Sequence, residues 1–301
     1  MRAAIIGTSS ITIHHINSLR KYGVKLFSVS ALRKNSKNLP HIIKNYKIKN
    51  YYYNLNNSYE NIVKNLKKID FFVISGKFSD NKKILRKILK FKKKIFIEKP
   101  VFLNSKSFKF LLEYKKYIFI GYNRTKFKNI IYLKNILKNK KKIKCLVKIP
   151  EKNKKFFFFN SCHVISVLQY LFGNFKIQYK SKDKKLINFK SKKAEINMLI
   201  NFSNSDNFTI EIYSGSERYL LRPLEVLKIY KSLAKKQEGI NNIYKPVINK
   251  TLKENLKSKY KPGFNKQAYD FLKFVKNNKI SEENSLEFAK NIIHLSEKIF
   301  L

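Results

Sequence analysis

The sequence predicts an α/β domain with a parallel sheet, followed by an α+β domain with an open, mostly antiparallel sheet. The first 120 residues alternate short apolar strand segments with helical segments, which is typical of βαβ units. From residue 121 onward, several predicted strands follow one another without helices, which favours antiparallel pairing. The length of 301 residues suits two domains. We therefore predict domains at 1–120 and 121–301.

In the first domain, each predicted strand is a short apolar run and each predicted helix lies between two such runs. The strands are Ala3–Ile6, Val24–Val29, Asp70–Ile74, Ile95–Ile97 and Tyr117–Ile120. The helices are Thr12–Lys21, Tyr59–Lys68 and Asn81–Phe91. This order predicts parallel strands joined by crossover helices.

In the second domain, a helix at Lys126–Lys138 precedes strands that alternate apolar with polar residues. The predicted strands are Lys144–Ile149, Phe175–Tyr179, Glu195–Phe202 and Phe208–Tyr213. A helix at Cys162–Leu171, with apolar residues at helical spacing, lies between the first two strands. Helices at Gln267–Val275 and Leu286–Phe300 close the chain.

The net charge of +47 admits two interpretations. Clustered lysines would bind nucleic acid by neutralising phosphates. The favoured interpretation is codon bias, because residues with A+T-rich codons dominate and lysine is spread over every segment. Nucleic acid is therefore not expected as a partner, although the charge raises the affinity for anionic ligands.

Cysteine content and hydropathy predict a cytoplasmic protein. The two cysteines, Cys145 and Cys162, form neither a disulfide framework nor a metal-ligand pattern. No apolar run approaches the ~20 residues that span a bilayer. The apolar N-terminal stretch is too short for a signal peptide. We expect no metal and no membrane partner.

The turn after the first strand, Gly7 to Thr12, lies where a G-x-G-x-x-G turn would lie. Gly7 suits the tight turn, and the N-terminus of the following helix favours a pyrophosphate. Ser9 and Thr12 occupy the second and third glycine positions. The turn predicts a dinucleotide site; an ordinary strand–helix turn is the alternative.

The end of the second strand carries no acid that would bind a ribose diol. Arg33 and Lys34 lie there instead and would hold a 2′-phosphate, which favours NADP over NAD. The alternative is that both are ordinary surface cations.

The charged pair Glu98-Lys99, followed by Pro100, ends a short apolar run. Such a segment predicts a strand that ends at a cleft. A desolvated Lys99 can act as an acid, as a base or as a charge that stabilises an alkoxide. A surface salt bridge between Lys99 and Glu98 is the alternative.

The segment Asn160-Ser161-Cys162-His163 precedes an amphipathic helix. Asn160 or Ser161 is expected to cap that helix. His163 then lies in its first turn, where it can face a cleft; a structural histidine is the alternative. Cys162 is expected to be packed.

Together these features resemble the glucose–fructose oxidoreductase, inositol dehydrogenase and MocA family (Gfo/Idh/MocA). The resemblance runs in order along nearly the whole chain. It rests on Gly7–Thr12 with His15, Asp70–Gly76, Glu98-Lys99-Pro100, Gly121-Tyr122-Asn123-Arg124 with Phe127, and His163–Gly173. Arg222-Pro223-Leu224-Glu225 and Lys261-Pro262-Gly263-Phe264 with Gln267 resemble late motifs of members near polysaccharide-synthesis genes.

The resemblance implies a Rossmann domain, and a C-terminal domain whose open sheet often forms a homo-oligomer interface. It implies an NAD(P)-dependent oxidoreductase of sugars or nucleotide sugars. By resemblance, Lys99 binds the reacting hydroxyl and His163 takes or gives its proton. The implied cofactor contacts are Gly7, Thr8, Ser9, Ser10, Ile11, Arg33, Lys34, Ser75, Gly76, Glu98 and Lys99. The implied substrate contacts are Asn123, Arg124, Asn160 and His163.

The chain departs from the family pattern around its histidine. The family has one aspartate four residues before this histidine and another three residues after it, where this chain has Phe159 and Ser166. Asn160 is a polar neighbour that can stand in. A member that binds cofactor but has lost turnover is therefore the alternative function, and a basic nucleic-acid-binding protein is a third.

Overall fold

A six-stranded parallel sheet organises the first part of the chain in the computed structural model, which describes residues 1–202 and 206–300. Its strands are β1 (Arg2–Ile6), β2 (Lys25–Ser30), β3 (Tyr51–Tyr52), β4 (Phe71–Ile74), β5 (Lys94–Glu98) and β6 (Ile118–Gly121). They lie in the order β3-β2-β1-β4-β5-β6, and all neighbours run parallel. The predicted Rossmann-type sheet is confirmed, and the strands' carboxyl ends share one edge.

Helices connect most of these strands. They are α1 (Thr12–Lys21), α2 (Asn38–Tyr46), α3 (Leu55–Lys64) and α4 (Asn81–Ile88). Helix α3 begins four residues before the predicted Tyr59, because the Asn54 side chain accepts a hydrogen bond from the Asn57 N–H and caps the helix. Between β5 and β6 the chain forms a 3-10 helix over Ser105–Tyr117, which the sequence did not predict.

The sheet packs on one side against α8 (Phe264–Asn277), a helix from much later in the chain. The ring of Phe271 lies 5.0 Å from that of Phe71 and 5.4 Å from those of Phe96 and Phe119, measured between centroids. All four side chains are buried. Aromatic packing therefore fixes α8 on the first sheet.

Contacts divide the chain into two units. The first contains Met1–Lys126 and Lys257–Ile293, and the second contains Phe127–Leu256 and the residues from His294 onward. The segment Lys257–Ile293, which the sequence assigned to the second domain, thus groups with the first sheet. The boundary at residues 120 and 121 concerns folding domains and stays a prediction.

The second unit contains an eight-stranded sheet. Its strands are β7 (Ile143–Pro150), β8 (Phe175–Lys180), β9 (Leu186–Ser191), β10 (Ala194–Asn201), β11 (Thr209–Ser214), β12 (Glu217–Leu221), β13 (Val226–Glu238) and β14 (Asn241–Lys253). They lie in the order β14-β13-β12-β11-β7-β10-β9-β8, and among the described residues only β7 and β10 pair in parallel. Alternate residues of β7 and β10 are buried and exposed, so one face of these strands is covered. The predicted mostly antiparallel sheet is confirmed.

The remaining helices are α5 (Lys128–Leu137), α6 (Lys154–Phe156), α7 (Cys162–Phe172) and α9 (Leu286–Phe300). Helix α7 is apolar on most sides and lies within the second unit, where nine of its eleven residues are buried. Across the ranges that the structure describes, no helix is long and apolar enough to cross a membrane.

Strands β13 and β14 form a hairpin of two 13-residue strands, which the sequence did not predict. From Lys231 to Glu238 every residue of β13 is exposed, and Ile240 in the connecting turn is 96% exposed. Only the half of the hairpin near β12 joins the covered part of the sheet.

Candidate active site

Two glycines bring the carboxyl ends of β1 and β4 together. Gly7 has a φ of +105°, and a Cβ atom there would lie 2.3 Å from the Gly76 nitrogen. A Cβ at Gly76 would in turn lie 2.9 Å from a Leu32 methyl group. The two backbones therefore touch, and a tight turn of this kind is what the first glycine of a pyrophosphate-binding loop provides.

Hydroxyl groups occupy the places of the two missing glycines. The Ser9 hydroxyl donates to the Ser75 carbonyl oxygen at 2.6 Å. Thr12 is fully buried, and its hydroxyl lies 2.9 Å from that of Ser75. These bonds tie the turn and the start of α1 to the end of β4, so the altered fingerprint still gives a closed strand–helix junction.

A cavity of about 420 Å³ opens beside this turn. It is lined by Gly7, Thr8, Ser9, Leu32, Arg33, Asn35, Ser36, Lys37, Asn38, Gly76, Lys77 and Asp80. Both predicted phosphate-binding cations are exposed; Arg33 lines the cavity, whereas Lys34 is not among the lining residues. Lys37 and Lys77 add two cations that the sequence analysis missed.

The loop after β2 is fastened to the glycine turn. The Ser36 and Thr8 hydroxyls lie 2.7 Å apart, and the Asn38 side chain donates to the Thr8 carbonyl oxygen at 2.7 Å. The only sequence signal for this loop is the polar run Asn35-Ser36-Lys37-Asn38, which directly follows the predicted cations.

Asp80 adds a carboxylate that the sequence analysis also missed. It belongs to a 3-10 turn that begins at Phe78, after β4, and its Oδ2 atom lies 3.9 Å from the Arg33 guanidinium. That oxygen is buried and has no hydrogen-bond partner among the described residues. A buried acceptor, nearby cations and a tight glycine turn fit the adenosine and phosphate part of a dinucleotide.

At the end of β5, Glu98 contacts two other groups. Its Oε1 atom lies 2.6 Å from His15 Nε2, and its Oε2 atom accepts a hydrogen bond from the Lys99 N–H at 3.2 Å. His15 is 5% exposed. His15, which entered above only as part of the resemblance, thus binds Glu98. The Lys99–Pro100 peptide bond is cis.

The residues directly after β6, up to Lys126, lie in the first unit, as Glu98 does. The Asn123 side chain is buried and donates to the Pro262 carbonyl oxygen at 3.4 Å, while Arg124 is half-buried. The neighbouring Lys126 is buried between two carboxylates, 2.6 Å from Glu283 and 3.1 Å from Asp270. A buried ion-pair network thus follows the predicted substrate contacts Asn123 and Arg124 two residues later in the chain.

His163 lies in the first turn of α7, in the second unit. The expectation that Asn160 or Ser161 caps this helix is wrong, because a π-helical turn over Phe157–Ser161 continues backward from it. Asn160 is exposed on that turn. The Ser161 hydroxyl instead donates to Glu151 Oε1 at 2.6 Å, and Glu151 is only 3% exposed.

The two family aspartate positions have other partners here. The Ser166 hydroxyl donates to the His163 backbone carbonyl at 2.8 Å. Phe159 accepts a bond from the Cys162 thiol through its carbonyl oxygen, at 3.1 Å. Cys162 is fully buried, as expected of a packed cysteine.

The fold of the whole chain is similar to that of solved dehydrogenases. A dehydrogenase (MviM) from Clostridium difficile matches with a TM-score of 0.73 and 18% identity, over 100% of this chain and 98% of that one. The WlbA (WbpB) dehydrogenase from Thermus thermophilus, in complex with NAD and UDP-GlcNAcA, matches with a TM-score of 0.67 and 11% identity, over 98% of this chain and 93% of that one. UDP-N-acetylglucosamine 3-dehydrogenase GnnA from Acidithiobacillus ferrooxidans matches with a TM-score of 0.71 and 13% identity, over 99% of this chain and 96% of that one.

Sequence comparison finds one family model for the first part of the chain. No curated protein matches the sequence. Residues 1–117 match the GFO_IDH_MocA model, described as an oxidoreductase family with an NAD-binding Rossmann fold. These residues contain the glycine turn, the lined cavity and Glu98-Lys99-Pro100. This part of the chain, residues 1–117, is therefore similar to the Gfo/Idh/MocA family of NAD-binding oxidoreductases.

Proposed function

We propose that the chain is an NAD(P)-dependent oxidoreductase of a sugar or nucleotide sugar, with a role in surface polysaccharide biosynthesis. The observation that carries the proposal is the contact between Gly7 and Gly76 beside a cation-lined cavity, within the part that matches an NAD-binding family. A bound nicotinamide dinucleotide supplies the hydride acceptor or donor. Dehydrogenases of the same fold whose names include UDP-sugars support the substrate class.

In this proposal the cofactor is held at the edge where the parallel strands end. The glycine turn and the end of β4 bind its phosphates, and the cations beside the cavity offset their charge. The holding residues are Gly7, Thr8, Ser9, Ser10, Ile11, Arg33, Ser75, Gly76, Glu98 and Lys99, together with the newly found Lys37 and Lys77.

Lys99 and His163 act on the reacting hydroxyl of the substrate. The Lys99 ammonium binds the hydroxyl oxygen and stabilises the charge that develops on it as the proton leaves. His163 takes that proton, or returns it in the reverse direction. Asn123, Arg124 and Asn160 bind the rest of the sugar.

Cofactor binding is tested by thermal unfolding with NADH and NADPH. A ligand at a hundred times its Kd stabilises the folded state by about 2.7 kcal/mol, so the Tm rises. No rise with either nucleotide at millimolar concentration would refute the proposal.

The choice between NADP and NAD is tested at the cations. We propose that NADP is preferred, because Arg33 lines the cavity and no acid ends β2. A phosphate bound by arginine gains about 1.5–3 kcal/mol from charge-assisted hydrogen bonds. Arg33→Ala should therefore raise the Kd for NADPH about tenfold or more and change the Kd for NADH little. Lys34→Ala, which changes the same charge outside the cavity lining, is the matched control.

Catalysis is tested with the same cofactor and a panel of sugars and nucleotide sugars. General acid–base catalysis contributes about 10²–10⁴-fold, so His163→Ala should reduce kcat by that factor and leave the Kd for NADPH unchanged. Lys99→Met should do the same and also raise KM. Full turnover by His163→Ala would make this histidine structural.

The alternative is a member that binds cofactor without turnover. It is favoured by one observation: the Ser166 hydroxyl, at a family aspartate position, is bonded to the backbone of His163. Cofactor binding together with no turnover over the whole panel would support it. Homo-oligomerisation through the open sheet and a cytoplasmic location remain further proposals, testable by light scattering and by fractionation.

A further inference from the structure

The contact between His15 and Glu98 joins two parts of the chain that are 83 residues apart. His15 lies in the first turn of α1, directly after the glycine turn, and Glu98 ends β5. The Nε2–Oε1 distance is 2.6 Å, and the two side chains are 6% and 15% exposed. An ionised carboxylate only accepts hydrogen bonds, so His15 Nε2 donates.

The second oxygen of Glu98 accepts the backbone N–H of Lys99 at 3.2 Å. The carboxylate is therefore held at both oxygens, by α1 on one side and by the Lys99 peptide on the other. A carboxylate engaged at both oxygens keeps one orientation, and it transmits that orientation to the backbone of Lys99.

Two aromatic rings fix the imidazole itself. The His15 ring meets the ring of Phe96 edge-on with centroids 4.7 Å apart, and the centroid of Phe264 is 4.9 Å away. Both phenylalanines are buried. A hydrogen bond enclosed by apolar rings is stronger than the same bond in water, so this link is stiff.

From this arrangement we infer that His15 is a positioning residue for Lys99, acting through the Glu98 carboxylate. The inference rests on the proposed function, in which Lys99 binds the reacting hydroxyl. Because α1 also begins at the glycine turn, the same helix fixes the position of Lys99 relative to the cofactor turn.

The test compares variants of His15 with variants of its neighbour. His15→Phe keeps a ring of similar size but loses the donor, and His15→Asn has an amide that is too short to reach Glu98. His15→Gln places an amide N–H near the position of Nε2. His14→Phe is the matched control, since His14 is the adjacent residue of α1 and its ring lies 5.5 Å from that of Phe264. Burial, with Lys261 adding to it, lowers the pKa of His14, so this side chain is neutral at pH 7.

We expect His15→Phe and His15→Asn to reduce kcat by about 10- to 100-fold, the cost of a misplaced catalytic group, while the Kd for NADH stays within about twofold. His15→Gln should recover most of the loss, and His14→Phe should retain kcat. Full kcat in the two loss-of-contact variants, or an equal loss in His14→Phe, would overturn the inference.

Hydrogen–deuterium exchange tests the same inference without turnover. The amides of residues 97–103 should exchange faster in His15→Phe and His15→Asn than in His15→Gln or the parent, at equal global stability. This readout separates the two claims: a chain that binds NADH and turns over no sugar refutes the proposed function, whereas unchanged exchange in these variants refutes the positioning role.

Discussion

At the residue scale, the meeting of Gly7 and Gly76 sets a steric limit on the cofactor turn. Gly7→Ala would introduce both a disfavoured φ and a Cβ 2.3 Å from backbone. We expect the free energy of unfolding to fall by about 3 kcal/mol and NADH binding to weaken, because the turn must open. Urea unfolding and NADH fluorescence titration measure both.

Gly23 provides the matched control for this change. It also has a positive φ, +75°, but a Cβ there would meet nothing within 4 Å. Gly23→Ala should therefore cost only about 1 kcal/mol, from the φ alone, and leave the Kd for NADH unchanged. Equal losses of stability in the two variants would show that the contact with Gly76 adds nothing to the cost of the Gly7 substitution.

A carboxylate in the second unit predicts a pH dependence of stability. Hydrogen bonds from Lys140, Tyr219 and Lys231 lower the pKa of Glu217 from 4.5 to about 2. A depressed carboxyl pKa stabilises the fold above about pH 4.5, and this stabilisation is lost as the pH falls toward 2. Glu217→Gln should therefore flatten the stability curve between these pH values, by up to about 1 kcal/mol after solvent screening. Urea unfolding from pH 6 to pH 2 measures the free energy of unfolding of the parent and the variant. Stability curves that stay parallel would contradict the lowered pKa of Glu217.

At the element scale, the sequence predicts segments that bury one face and misses segments that do not. Strand β10 alternates strictly, from Ala194 to Asn201, and it was predicted within one residue at each end. Strands β13 and β14 were missed, because their outer halves are exposed on both faces and show no alternation. In these outer halves only backbone hydrogen bonds define the strands, and such bonds require no alternation of apolar and polar side chains.

The exposed half of this hairpin should be dispensable for folding. Deletion of Leu233–Pro246, with Asn-Gly joining Ser232 to Val247, retains the pairing of those two residues. We expect the free energy of unfolding to change by less than about 1 kcal/mol, because the removed residues are almost all exposed. A large loss on urea unfolding would show that the hairpin end is part of the cooperative unit.

At the scale of the whole molecule, the sequence predicted both sheets but could not place distant residues together. Gly7, Lys99 and His163 were predicted as site residues because each lies in a local sequence pattern. The His15–Glu98 bond, the Lys126 network and Asp80 in the cavity depend on contacts between residues far apart in sequence. No local periodicity reports such contacts, so only the folded chain reveals them.

The charge of the whole molecule predicts a response to salt. With a net charge of +47, self-repulsion opposes the compact state. Raising NaCl from about 20 mM to about 500 mM shortens the Debye length severalfold and should raise the Tm. For a chain of this size, each 1 kcal/mol gained corresponds to roughly 2–4 °C or less. Circular dichroism melts provide the measurement, with sucrose of equal osmolality as the control; a flat or falling Tm in NaCl would contradict the expectation.

The return of α8 to the first sheet matters while the ribosome is still making the protein. Lys126 and Lys257, the ends of the two segments that build the first unit, are separated by 130 residues. At about 5–20 residues per second, that interval takes roughly 7–26 s. During this time Phe71, Phe96 and Phe119 have emerged and Phe271 has not. The nascent chain therefore presents an uncovered aromatic surface to chaperones, and its first unit is completed only after Lys257–Ile293 has been synthesised.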